Sequence, residues 1–107
     1  MIDLGNLRQL TEEDAPLMQT LLDEFLNTTE EDLRSLDQAV EKKMHQEIAS
    51  LAHRIKGSSM IVGASQLIQL TNELEEVGKR AENEKFESLL SAIKECYSGV
   101  SEAIRKL

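Results

Sequence analysis

One histidine in this chain has neighbours that suit it to covalent chemistry. His53 is followed by Lys56 and Gly57 in the run Ala52-His53-Arg54-Ile55-Lys56-Gly57-Ser58-Ser59-Met60-Ile61-Val62-Gly63-Ala64. Ile48, Leu51, Ile55 and Val62 are spaced by three, four and seven residues, so the segment reads as a helix with one apolar face. At roughly 100° per residue, His53 falls almost opposite that face, with Ala49, Gly57 and Met60 within about 40° of it and Lys56 about 60° away. His53 therefore points to solvent. A glycine inside a helix costs about 1 kcal/mol relative to alanine, and at Gly57 the missing side chain lets another macromolecule approach the imidazole. Ala49, one turn earlier, is small too. Lys56 can reach an anion carried on the ring. No acidic residue lies between Glu47 and Glu73, so the segment is expected to keep competing carboxylates away. Together these features describe an exposed nucleophile prepared to carry negative charge.

The chain around this segment has 107 residues, 40% hydrophobic and 30% charged. That length matches one domain, 1–107, and excludes a second. Sixteen leucines against three aromatics (Phe25, Phe86, Tyr97) make the core aliphatic. The net charge is -8, unevenly placed: residues 1–32 hold nine acidic residues and one arginine, while residues 33–107 hold eleven of each sign. The acidic N-terminal third is expected to be a solvated face, and the stretch around His53 a positive island.

This balance argues against nucleic-acid binding, which calls for a basic patch and stacking aromatics. No apolar run approaches the roughly 18 residues of a membrane span, and the N-terminus lacks the pattern of a signal peptide. A lone Cys96 makes no internal disulfide, which fits a reducing compartment and a cytoplasmic location. The Met1 start suits a native initiator and an excised domain equally.

Periodicity divides the chain into helices after an apolar lead-in at Leu4, Leu7 and Leu10. The first opens on Thr11 as cap, ahead of Pro16, and carries Met18, Leu21, Leu22 and Phe25; a tight break near Asn27-Thr28 precedes a second, launched by Thr29 and carrying Leu33, Leu36, Ala39 and Val40. The third, around His53, starts within 42–46 without a clear cap and ends near Gly63. The fourth spans about 65–81 with Leu67, Leu70, Thr71, Leu74 and Val77. The last carries Phe86, Leu89, Leu90, Ile93, Tyr97, Val100, Ile104 and Leu107. Four or five helices with short links predict an all-α, antiparallel up-and-down bundle.

The run from His53 to Ser59, with Val62-Gly63-Ala64 and then Leu67, Leu70, Leu74 and Glu75, resembles the histidine-containing phosphotransfer (HPt) domain of multistep phosphorelays; Ile55 stands where leucine is usual. The resemblance implies a four-helix bundle with a short additional N-terminal helix, formed here by Leu4 to Leu10. It implies that His53 takes a phosphoryl group from a receiver-domain aspartate and passes it to another. Lys56 would offset the phosphoryl charge, and Gly57 would give clearance. Mg²⁺ would be supplied by the receiver, with no metal site or cofactor in this chain. On the next helix Lys79 fits the polar or basic groups that the family often places near the phosphoryl site, and Glu75 is a weaker match. Ala49, Met60, Ile68 and Lys79 are the candidate docking residues; Met60 and Ile68 otherwise pack at the bundle's edge.

The remaining reactive residues have blander readings. Ser59 faces the core and bonds a backbone carbonyl, Ser58 positions a neighbouring helix, and Cys96 is a small buried hydrophobe. His45 lies eight positions from His53, not at metal-pair spacing, and reads as a surface residue. A non-catalytic adaptor bundle is the alternative, but leaves Gly57 and the outward His53 unexplained. An autonomous histidine kinase lacks a glycine-rich nucleotide loop. A dimerising kinase helix needs a two-helix hairpin. The expectation is a monomeric phosphocarrier without kinase activity, a module of a hybrid sensor kinase rather than a free shuttle.

Overall fold

Asp14 starts the longest helix: its carboxylate accepts the Leu17 amide at 3.0 Å, and Pro16 occupies the first turn, where its missing donor costs nothing. From there α2 runs unbroken over Ala15–Glu41. The computed structural model describes residues 2–107, so Met1 lies outside it. Before α2 comes α1 (Gly5–Leu10); after it come α3 (His45–Ile61), α4 (Ser65–Lys79), a 3-10 turn (Asn83–Lys85) and α5 (Phe86–Arg105). Among the described residues every regular element is helical. Short links make successive long helices antiparallel, and α5 closes back on α2, giving a bundle of 43 × 19 × 19 Å.

The expected break near Asn27-Thr28 is absent. Thr29 and Asp32 resemble a second capping signal in the sequence, but both are buried, at positions that continue the stripe of Leu22, Phe25 and Leu26 into Leu33, Leu36 and Val40. With no glycine or proline between Leu17 and Glu41, nothing interrupts the helix. Thr11 is not the cap either; its hydroxyl is buried and donates back to the Leu7 carbonyl, closing α1.

The ends of α2, α3 and α4 share one geometry: residues Lys43, Gly63 and Ala81 take positive φ, and the next amide bonds back five residues, as in Met44 to Ala39, Ala64 to Ser59 and Glu82 to Val77. Only Gly63 is irreplaceable. The N-terminal lead-in lies on it, with the Asp3 amide bonded to the Val62 carbonyl at 3.1 Å, and a Cβ on Gly63 would sit 2.3 Å from the Asp3 carbonyl oxygen. The contact seats α1, whose Leu7 is fully buried, against the bundle end.

The three chain reversals give a paired prediction for urea denaturation. Gly63→Ala lowers stability by about 2 kcal/mol or more, from left-handed strain plus the clash with Asp3. Ala81→Gly relieves the same strain without a clash and raises stability by about 0.5–1 kcal/mol.

Candidate functional site

His53 sits midway along α3 with its side chain 68% exposed. The helix turns it outward because Ile48, Leu51, Ala52, Ile55 and Ser59 all point to the core. Ser59 donates to the Ile55 carbonyl at 2.6 Å, as the sequence predicts. Gly57 lies one turn on, and a Cβ built there meets nothing within 4 Å. The space beside the ring is open.

The residue that organises this surface comes from α4. Glu75 Oε2 lies 3.1 Å from His53 Nδ1 and 3.2 Å from Lys79 Nζ. Its Oε1 forms an ion pair with Lys56 Nζ at 2.8 Å and has no other partner among the described residues. Lys56 Nζ also donates to Asn72 Oδ1 at 3.2 Å. The Glu75 side chain is only 9% exposed. Burial pushes its carboxyl upward, but Lys56 above all, then Lys79 and His53, outweigh that and hold it down at about 2. An ionised carboxylate only accepts, so Nδ1 must carry the ring proton. The Nε2 lone pair is left facing outward.

This arrangement corrects three expectations. The positive, acid-free island exists along the sequence but not in space, because α4 supplies Glu75 and α2 supplies Asp32, which pairs with Arg54 at 3.2 Å. Asp32 is buried, so the acidic N-terminal third is not wholly a solvated face; burial pushes its carboxyl upward against the pull of Arg54. Ala49, a candidate docking residue, does not lie open beside the ring. It is buried under α4, where a Cβ on Gly78 would lie 3.1 Å from its amide nitrogen.

Met60 is exposed, and Ile68 is half-buried at the bundle's edge. Ile61 is exposed and was missed as a surface candidate; Leu10 is exposed beside it. With Leu21, Phe25, Thr28 and Ser58 they line a groove where α1, α2 and α3 meet. Ile61 was legible, since it falls off the apolar stripe of α3. Lys79 is exposed and, among the described residues, bound to Glu75 alone. His45 is half-buried, bonded to Asn83 Oδ1 at 2.6 Å and tilted on Phe86, rather than a plain surface residue. Cys96 is half-buried, its thiol pushed up by burial. Among the described residues no cluster of three His, Cys, Asp or Glu side chains is placed to hold a metal, and no helix is long and apolar enough to cross a membrane.

A helical bundle that presents one oriented, outward imidazole defines a class of carrier. The chain belongs to the Hpt domain family, whose model matches residues 20–103. It is similar to the histidine-containing phosphotransfer protein B (HptB) of Pseudomonas aeruginosa PAO1, whose crystal structure superposes with a TM-score of 0.91 at 30% identity, covering 98% of this chain and 91% of that one. It is also 31% identical over 96 residues to the sensor protein EvgS of Escherichia coli (strain K12). That match takes in 88% of this chain, which spans only 8% of the relative's length. The chain is thus a phosphorelay intermediate with an all-helical bundle fold, from a family that works with receiver domains in general.

The depressed carboxyl of Glu75 has a consequence for stability. Because its folded-state pKa lies below the unfolded value, its contribution is complete above the ordinary carboxylate range and is lost as pH falls toward about 2. Acid titrations of wild type and Glu75→Gln, followed by urea unfolding, should therefore converge. Wild type loses on the order of 2 kcal/mol more than the variant between neutral pH and the acid limit.

Proposed function

We propose that His53 is the phosphoryl acceptor of this domain and that Nε2 is the reacting atom. The observation that carries this reading is the Nδ1–Glu75 hydrogen bond on an imidazole whose other face is open. The Nε2 lone pair attacks the phosphorus of a receiver's aspartyl phosphate; the P–O bond breaks, and its electron pair returns to the aspartate carboxylate. The proton stays on Nδ1, so the ring becomes a cation stabilised by Glu75. In the onward transfer a receiver's aspartate oxygen attacks the phosphorus, the P–N bond breaks and the ring leaves as a neutral imidazole. One retained proton serves both transfers.

The partners are response-regulator receiver domains, which bring Mg²⁺ and the acidic cluster that binds it, so this chain needs no cofactor. Gly57 gives the receiver clearance. The groove lined by Leu10, Phe25 and Ile61, with Met60 exposed on the same helix as His53, offers an apolar docking surface. The domain acts as a monomer in the cytoplasm and has no kinase activity of its own. It serves as a module of a hybrid sensor kinase. The adaptor alternative leaves the oriented imidazole without a purpose.

The test is incubation with a phosphorylated receiver. Wild type gains acid-labile, base-stable label, and His53→Gln gains none; label persisting in the variant, or absent from wild type, contradicts the proposal. Gly57→Ala separates fold from function: it raises stability by about 0.5–1 kcal/mol by removing helical glycine, yet slows receiver-dependent labelling several-fold.

A further inference from the structure

The seam between α2 and α3 carries two charges of opposite sign beside the apolar groove. Glu24 lines that groove with Leu10, Phe25, Ser58 and Ile61, is exposed, and has no ion-pair partner among the described residues. Arg54 lies one helical turn before Ser58 on the same side of α3 and directly follows His53. Its side chain is 59% exposed, yet it is held from beneath: Nη2 lies 3.2 Å from Oδ1 of Asp32, itself 5% exposed. The other oxygen, Oδ2, is buried without a hydrogen-bond partner, so among the described residues Arg54 is the only cation on this carboxylate. An arginine that swung away would strand a buried charge, and the guanidinium is therefore fixed in place. It has five N–H donors, of which this anchor takes one. The rest remain available at the edge of the surface that a partner covers to reach His53.

We infer that Arg54 and Glu24 determine which receivers this domain accepts: those whose docking face carries an acidic residue opposite Arg54 and a basic residue opposite Glu24. The inference rests on the reading of His53 as acceptor and of the groove as docking surface. Asp32, which fixes Arg54, follows Glu24 by eight residues, so the two charges stand about 12 Å apart along α2 at 1.5 Å per residue. A receiver turned end for end would set like charges against each other, so the pair also fixes the direction of docking. Asp32 acts as a positioning residue. A mobile arginine would lose side-chain freedom on docking, whereas one already held over a buried carboxylate has little left to lose.

The test takes a receiver domain that labels the wild-type protein, phosphorylates it with acetyl phosphate, and measures transfer against receiver concentration. Asp32→Asn combined with Arg54→Gln removes the ion pair without stranding a charge. Glu24→Lys reverses the other sign at an exposed position, where packing is not disturbed. Each should lower kcat/KM about tenfold at low salt and leave the rate at saturating receiver unchanged, because charges at the rim act on encounter. Roughly 0.5 M salt should erase most of the difference. A lysine or arginine of the receiver changed to glutamate should restore transfer to Glu24→Lys at one position only. Phosphoramidate, a small donor that needs no docking, should label His53 in every variant as in wild type. An unchanged kcat/KM in either charge variant, with Ile61→Ser lowering it, overturns the inference and leaves the groove and the acceptor reading standing. If Ile61→Ser changes nothing either, the docking surface lies elsewhere and the charge pair falls with it. Wild type that phosphoramidate does not label at His53 overturns the acceptor reading as well.

Discussion

A nearly buried carboxylate with three cationic or donor partners is the constraint on which this domain's surface depends. Burying an ionised carboxylate costs several kcal/mol unless it is paired and bonded. Glu75 meets that condition with Lys56 on one oxygen and with His53 Nδ1 and Lys79 on the other. The same contacts that make the charge tolerable fix the imidazole's tautomer and direction. Stability and chemistry are therefore coupled at one residue.

The bundle exists to bring α4 within reach of α3. Ala49 and Gly78 let the two backbones approach where a larger pair would hold them apart, and Ala52 is fully buried beside them. The sharp reversal at Gly63 then sets the register that places Glu75 opposite both His53 and Lys56. Helix α2 contributes from the other side: Asp32 draws Arg54 away from the imidazole. Tyr97 ties α5 to α2 through the Leu26 carbonyl and Glu30, keeping the bundle closed behind the site.

Much of this was legible in the sequence. The apolar stripes of α3 and α5 stand as the periodicity predicts, except that Leu107 lies beyond the end of α5 and is exposed; the outward turn of His53, the opening at Gly57 and the inward Ser59 follow from the helical wheel. Several misreadings have one physical cause: polar residues placed inside. Thr29 and Asp32 look like a helix start because capping residues and buried ion-pair residues are the same types. Lys43 and Ala81 end helices in a conformation usually marked by glycine, so those boundaries lack the glycine signal that Gly63 gives. The acid-free window around His53 is true of one helix only. A carboxylate 22 positions away enters the site through tertiary packing, which no one-dimensional count registers.

The central claim is that Glu75 holds the proton of His53 on Nδ1 and so assigns the chemistry to Nε2. Two-bond proton–nitrogen correlation spectra of the unphosphorylated protein in mildly alkaline buffer report this directly. The account predicts the pattern of a single tautomer, with Nδ1 protonated and Nε2 bare. A ring protonated on Nε2, or an even mixture of the two tautomers, would contradict it.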